Sequence, residues 1–168
     1  MLQPVVRRTW APKGQTPIHY SWDRHDRLSA ISALTVSPET RRLGLYFDFH
    51  DGNITNVEVF DFLCKIRRVL GRDLLVVLDR LNAHRTAVRR LQERSENDFR
   101  FEWLPPYAPD LNPVEQVWNH TKYADLANFI PENLDHLWIH ATVSLEVTRR
   151  KQALLQSFFQ FCELPLTG

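Results

Sequence analysis

The segment that most constrains the fold is the apolar run Leu74–Leu78, which is followed directly by Asp79. Five consecutive apolar residues without alternation are typical of a central strand that is covered on both faces. Open α/β sheets bind ligands at the carboxyl ends of their parallel strands, which is where Asp79 would lie. An acid in this position also commonly serves as a turn or cap residue, and the local sequence leaves both roles open.

The patterns around this run predict alternating strands and helices. Alternation of apolar and polar residues predicts further strands at 28–36, 43–50 and 99–103, the first two as a hairpin. Helical spacing predicts helices after Thr55 and over about 85–94, 113–128 and 132–162, the last as one helix or two. Glycine and prolines predict a loop at 11–17. A hairpin followed by β-α-β units predicts an α/β domain with a mixed sheet flanked by helices.

Composition limits the classes of protein that this chain can belong to. Its 168 residues, 43% of them hydrophobic, are enough for one domain with a core. The net charge of +1 is not the strongly basic charge that is typical of nucleic-acid-binding proteins. Any DNA contact would therefore need locally grouped arginines. Cys64 and Cys162 lie in apolar patterns and are interpreted as core residues. Since no long apolar span or signal peptide is present, we expect a cytoplasmic protein without a membrane partner.

The second informative segment is LPPYAPDLNPVEQVW, which runs from Leu104 to Trp118. Asn112 and Pro113 suit the N-cap and first position of a helix, and Glu115 then falls where a capping-box acid would lie. Alternatively, the stiff loop positions Glu115 as a metal ligand. If Asp79 and Glu115 meet at one sheet edge, they form the oxygen-rich site that Mg²⁺ or Mn²⁺ prefers.

LLVVLDRLNAHR, followed by FEWLPPYAPDLNPVEQVWNHTK, closely resembles the DDE endonuclease domain of mariner-related bacterial insertion-sequence transposases. Glu115 follows Asp79 by 36 positions, and the upstream RRTWAPKGQTP and RLSAISALTVSP also look like this family. The resemblance implies an RNase H-like fold whose carboxylates hold two divalent ions for DNA cleavage and strand transfer in cut-and-paste transposition. By motif matching, Asp79 is the second catalytic acid and Glu115 the third. Asn82 and His84 match recurring positions beside the second acid and, with Lys122, are candidate DNA-binding residues. For His84, a role in loop structure and DNA contact are both open.

The resemblance also shows what the sequence lacks. The first acid of the triad belongs on the first, central strand, shortly before RRTWAPKGQTP, and no such acid precedes it here. We therefore expect residues 1–168 to form a single partial endonuclease domain without the family's N-terminal helix-turn-helix region. Without its central strand, the sheet would expose two unpaired edges. We expect these edges to cause homo-oligomerisation, or pairing with a separately encoded N-terminal piece.

Other polar and aromatic residues could belong to a site, but simpler structural roles are favoured for most of them. Asp48 is rejected as a replacement acid, because its strand would lie three strand spacings, roughly 14 Å, from that of Asp79. His136 and His140 have the i, i+4 spacing of zinc ligands but lack the rest of that motif, which favours a structural role. Trp118 and Lys122 share the helical face of Glu115; packing is favoured for Trp118, while DNA contact and solvation are both open for Lys122.

Two functions remain as hypotheses. The chain is either the catalytic part of a DNA transposase, inactive by itself for want of one acid, or a remnant that binds DNA or intact transposase without cutting. In the first case the cofactor is Mg²⁺ or Mn²⁺. The partner is DNA, both the ends of the mobile element and the target into which it inserts.

Overall fold

The computed structural model of the protein describes residues 10–15, 28–94, 98–164 and 166. The strands are β1 (Leu28–Val36), β2 (Leu43–Asp51), β3 (Leu74–Leu78) and β4 (Phe99–Trp103). The helices are α1 (Asn56–Leu70), α2 (Asn82–Arg94), α3 (Pro113–His120), α4 (Leu134–Arg150) and α5 (Gln152–Phe161). Residues 11–15 of the predicted loop lie in a turn at Gly14, while 16 and 17 are outside the described residues. None of the helices in these ranges is long and apolar enough to cross a membrane.

The predicted hairpin is formed by β1 and β2, which pair antiparallel from Leu28 opposite Asp51 to Val36 opposite Leu43. Alternation along β2 buries Leu43, Leu45 and Phe49 on one face. This face packs against the C-terminal helices α3, α4 and α5 and forms the larger of two cores. The segment predicted as one helix or two over about 132–162 forms two helices, α4 and α5, and both pack on the hairpin.

The other sheet consists of β3 and β4, which pair in parallel from Leu74 opposite Phe99 to Leu78 opposite Trp103. Helices α1 and α2 cover one face of it and form the second core. Helix α1 begins with the predicted capping box, in which Thr55 and Glu58 each bond the other's backbone. It ends at Gly71, whose left-handed backbone (φ 63°) glycine adopts without the steric cost of a Cβ atom.

The predicted mixed sheet is present as these two separate pieces. Among the described residues, β1 and β3 each have a single hydrogen-bonded neighbour, so one edge of each remains unpaired. Ile31 of β1 nevertheless packs against the same core as Leu74 and Val76 of β3. Both pieces therefore lie beneath the same layer of helices, with no described strand joining them.

One expectation about β3 is wrong. The unbroken apolar run predicted burial of both faces, but Leu75 and Val77 are 66% and 55% exposed. The reason is tertiary: α3, α4 and α5 pack on the β1–β2 hairpin, and none of the described helices covers the corresponding face of β3. Two apolar side chains are left on the surface of the domain.

The helix predicted over about 113–128 also differs. Helix α3 ends at His120 and passes into a π-helical turn, Thr121–Asp125. Asp125 ties this turn to α4, because its carboxylate accepts a hydrogen bond from the Ser144 hydroxyl (2.6 Å). Asn128 then adopts a left-handed backbone (φ 59°), which stops the helix.

Candidate active site

Asp79 lies where the sequence predicted, at the carboxyl end of β3. The Leu104 N–H donates a hydrogen bond to the Leu78 carbonyl (2.8 Å), which extends the pairing one residue beyond β4. The carboxyl ends of β3 and β4 are thereby held together, and Asp79 stands at their shared edge. Its side chain is 38% exposed.

Two bonds orient the Asp79 carboxylate. Its Oδ1 accepts from the Leu81 N–H (3.1 Å) and lies 2.5 Å from Nδ1 of His84, on the first turn of α2. Because an ionised carboxylate can only accept, the hydrogen in this contact belongs to the His84 Nδ1. Oδ2 makes no hydrogen bond with the described residues. Asp79 therefore has the turn role that the sequence allowed, and its Oδ2 is not engaged by the described residues.

Arginines and a tryptophan that were not singled out from the sequence lie beside Asp79. Arg80, Arg85 and Trp103 line a small open cleft of about 210 Å³. The Arg80 Nε–H donates to the Leu104 carbonyl (3.2 Å). The available signal was the spacing: Arg80 adjoins Asp79, Arg85 adjoins His84, and Trp103 ends the neighbouring strand. Asn82 begins α2 and is exposed.

Glu115 lies on the first turn of α3, as predicted, and Asn112 is the cap of that helix. The Asn112 Oδ1 accepts from the Val114 N–H (3.2 Å), and Pro113 holds the first position. The bond from a Glu115 carboxylate back to the cap, which a capping box requires, is not formed. Glu115 is exposed, and its carboxylate has no hydrogen bond or ion pair to any described residue. Glu115 therefore does not close a capping box, although its place in the first turn is favoured by the helix dipole.

The structure joins some of the predicted residues and not others. Asp79 and His84 are in direct contact, whereas Glu115 belongs to a helix that packs on the other sheet. Lys122 is half-buried on the π-helical turn. Trp118 packs against the larger core, as favoured from the sequence. Within the described ranges, no three His, Cys, Asp or Glu side chains are grouped so that they could hold a metal ion.

The residues given structural roles keep them. Asp48 lies on β2, in the other sheet from Asp79, and forms an ion pair with Lys65 (2.9 Å). The rings of His136 and His140 pack on each other and on Phe129, with centroids 4.3–5.1 Å apart. The His136 Nδ1 also accepts from the Glu132 N–H (3.2 Å), a local bond that fits a structural role for this ring.

The cysteines do not take part in this site. Cys162 is buried in the domain, Cys64 is half-buried beside the second core, and both are free thiols. Burial raises the pKa of both thiols above the usual value. Because the thiolate is the reactive form, both residues are structural rather than nucleophilic.

Comparison with known proteins identifies the class. Residues 1–137 match the model of the DDE superfamily endonuclease family, so the chain belongs to this superfamily, as the sequence motifs predicted. The structure is similar to a chain of the crystal structure of the Mos1 strand transfer complex, with a TM-score of 0.60 and 14% identity. The match covers 96% of this chain and 48% of that one, so this chain spans about half of its length. The predicted RNase H-like α/β class is confirmed by this likeness. No curated protein matches the chain.

Proposed function

We propose that this chain is the catalytic domain, or the larger part of one, of a DNA transposase that cleaves and rejoins phosphodiesters during cut-and-paste transposition. The observation that carries the proposal is Asp79. In a domain of the DDE superfamily, it stands at the carboxyl edge of a parallel strand pair, with Oδ1 held by two contacts and Oδ2 free of hydrogen bonds to the described residues.

Asp79 and Glu115 are the residues that would hold a divalent cation. Both offer carboxylate oxygens, the donors that Mg²⁺ and Mn²⁺ prefer, and neither Asp79 Oδ2 nor the Glu115 carboxylate is committed to another described residue. Members of the superfamily generally depend on divalent metal ions. When bound, such ions activate water or a 3′-hydroxyl and stabilise the departing oxygen.

The other predicted residues of the site serve orientation and DNA contact in this proposal. His84 and the Leu81 N–H hold the Asp79 carboxylate in one rotamer, so that it needs no rearrangement when a cation arrives. Asn82 is exposed at the start of the same helix, within reach of a DNA backbone bound at this edge. Lys122, two turns beyond Glu115, supplies a cation for a further phosphate.

A second candidate, binding without cutting, is favoured by a specific observation. Among the described residues, no three His, Cys, Asp or Glu side chains are grouped as a complete metal site would require. We propose that a separately encoded strand carrying an acid, or a second copy of the chain, completes the sheet along the unpaired edges of β1 and β3. Alone, the chain then binds DNA and does not cleave it.

Binding of Mn²⁺, followed by electron paramagnetic resonance, tests the shared metal site directly. Asp79→Asn and Glu115→Gln should each weaken binding at least tenfold, whereas Glu93→Gln, an exposed acid on α2, should not. If all three variants bind Mn²⁺ with the affinity of the wild type, the proposed metal site is refuted. Nicking of supercoiled plasmid then separates the two candidates: nicking that is lost in Asp79→Asn supports the nuclease, and retention of DNA without nicking supports the binding role.

A further inference from the structure

The cleft beside Asp79 carries positive charge that the described part of the protein does not neutralise. Arg80 and Arg85 are exposed, and neither forms an ion pair with a described carboxylate, although five ion pairs of arginine or lysine with acids occur elsewhere among the described residues. Asp79, which adjoins Arg80 in the chain, contacts His84. Two guanidinium groups without counter-charges, on either side of one cleft, are suited to an anion.

The third wall of the cleft is aromatic and is firmly placed. Trp103 is the last residue of β4 and lies opposite Leu78 in the parallel register, immediately before Asp79. Its side chain is half-buried, so one part of the ring is supported by the domain while another borders the cleft. Arg80 is also fixed, because its Nε–H bonds the Leu104 carbonyl and leaves the two terminal nitrogens without a described partner.

We propose that this cleft binds one unpaired nucleotide of a single DNA strand next to the phosphodiester that is cut. The guanidinium groups of Arg80 and Arg85 contact its phosphate, since their planar donors match phosphate oxygens, and Trp103 stacks on its base. The inference rests on the proposed function and adds to it a requirement for locally opened DNA.

The chemistry of the cleft favours a single unstacked nucleotide over other ligands. Its volume of about 210 Å³ is below that of clefts that enclose drug-sized molecules, roughly 300–1,000 Å³, so the nucleotide would lie against the three side chains without being enclosed. In duplex DNA the base faces are covered by their neighbours, so an aromatic side chain gains a stacking partner only from an unpaired base. A free inorganic anion would use the arginines and leave Trp103 without a role.

The test measures binding of a fluorescent single-stranded decanucleotide by anisotropy, in EDTA so that no metal chemistry contributes. Trp103→Ala should weaken binding about tenfold, and Trp103→Phe, which keeps a stacking ring, should restore most of it. Arg80→Ala or Arg85→Ala should weaken binding and reduce the slope of log affinity against log salt by about 0.7 for each lost contact. Arg100→Ala, an exposed arginine on β4 outside the cleft, is the matched control.

Each outcome decides the matter. Binding that is unchanged in Trp103→Ala, lost equally in Arg100→Ala, or equal for duplex and single strand would overturn the inference. Circular dichroism identifies a variant that fails to fold, and Trp103→Phe with the two arginine variants still decides the question in that case. Because the oligonucleotide assay contains EDTA, its outcome does not depend on the Mn²⁺ site, so loss of Mn²⁺ binding in Asp79→Asn tests the proposed catalysis separately from this cleft.

Discussion

Truncation of His84 tests whether the protein itself holds Asp79 in position. The imidazole is the one side chain among the described residues that bonds this carboxylate. We expect His84→Ala to destabilise the domain and to loosen Asp79. Because alanine also changes the helix propensity at the start of α2, the single variant does not isolate the bond. A double-mutant cycle with Asp79→Ala does, since the propensity change cancels between its two arms.

The geometry sets the size of the coupling. A hydrogen bond to a charged partner contributes about 1.5–3 kcal/mol when it is well shielded, and exposed ion pairs contribute less than about 1 kcal/mol. The 2.5 Å contact lies between these limits, because His84 is 20% exposed and Asp79 is 38% exposed. Discounting for solvent screening, we expect a coupling energy of about 1 kcal/mol.

Urea denaturation of the wild type, both single variants and the double variant, followed by circular dichroism, measures this coupling. A value below about 0.3 kcal/mol, within the error of additivity, would refute the positioning role of His84. The same His84→Ala chain should bind Mn²⁺ about tenfold more weakly than the wild type, in line with the effect of removing a residue that orients a metal ligand.

Three further predictions concern the framework. Leu145→Ala, at a fully buried position of the larger core, should lower the free energy of unfolding by about 2–5 kcal/mol in urea denaturation, while Val147→Ala, 44% exposed on the same helix, should change it by less than about 1 kcal/mol. The Thr55 hydroxyl and N–H lower the pKa of Glu58 below its ordinary value of 4.5, so this stabilisation is present above that pH and is lost as the pH falls through the lowered pKa. Glu58→Gln should flatten that acid limb in a titration of stability, and an unchanged limb would contradict the assignment. Leu75→Lys, at a position 66% exposed, should reduce concentration-dependent association in sedimentation velocity, and undiminished association would exclude this face as its cause.

Features that depend on neighbours in the chain were predictable. The Asn112 and Pro113 start of α3 and the capping box of α1 follow from side chains that bond backbone groups two or three residues away. The position of Asp79 followed in the same way, because an apolar run must end where its strand leaves the sheet. These local rules also placed Glu115 on a first helical turn, and showed that its approach is stiff.

Features that depend on distant contacts were not predictable. The exposure of Leu75 and Val77 arises because α3, α4 and α5 pack on the hairpin, which no pattern within β3 encodes. The π-helical turn after α3 is held by Asp125 and Ser144, which are 19 positions apart. Only the fold revealed the cleft formed by Arg80, Arg85 and Trp103, since it brings the end of one strand beside the beginning of a helix.

The amino-acid sequence alone determined the α/β class, the elements, the family and the two candidate acids. Periodicity, caps and motif spacing are properties of short stretches of chain, and their energies are set locally. The tertiary structure decided which faces are covered, which carboxylate oxygen is already bonded, and which side chains stand around Asp79. Those outcomes depend on packing between elements far apart in sequence. The local sequence of a helix does not encode which sheet the helix will cover.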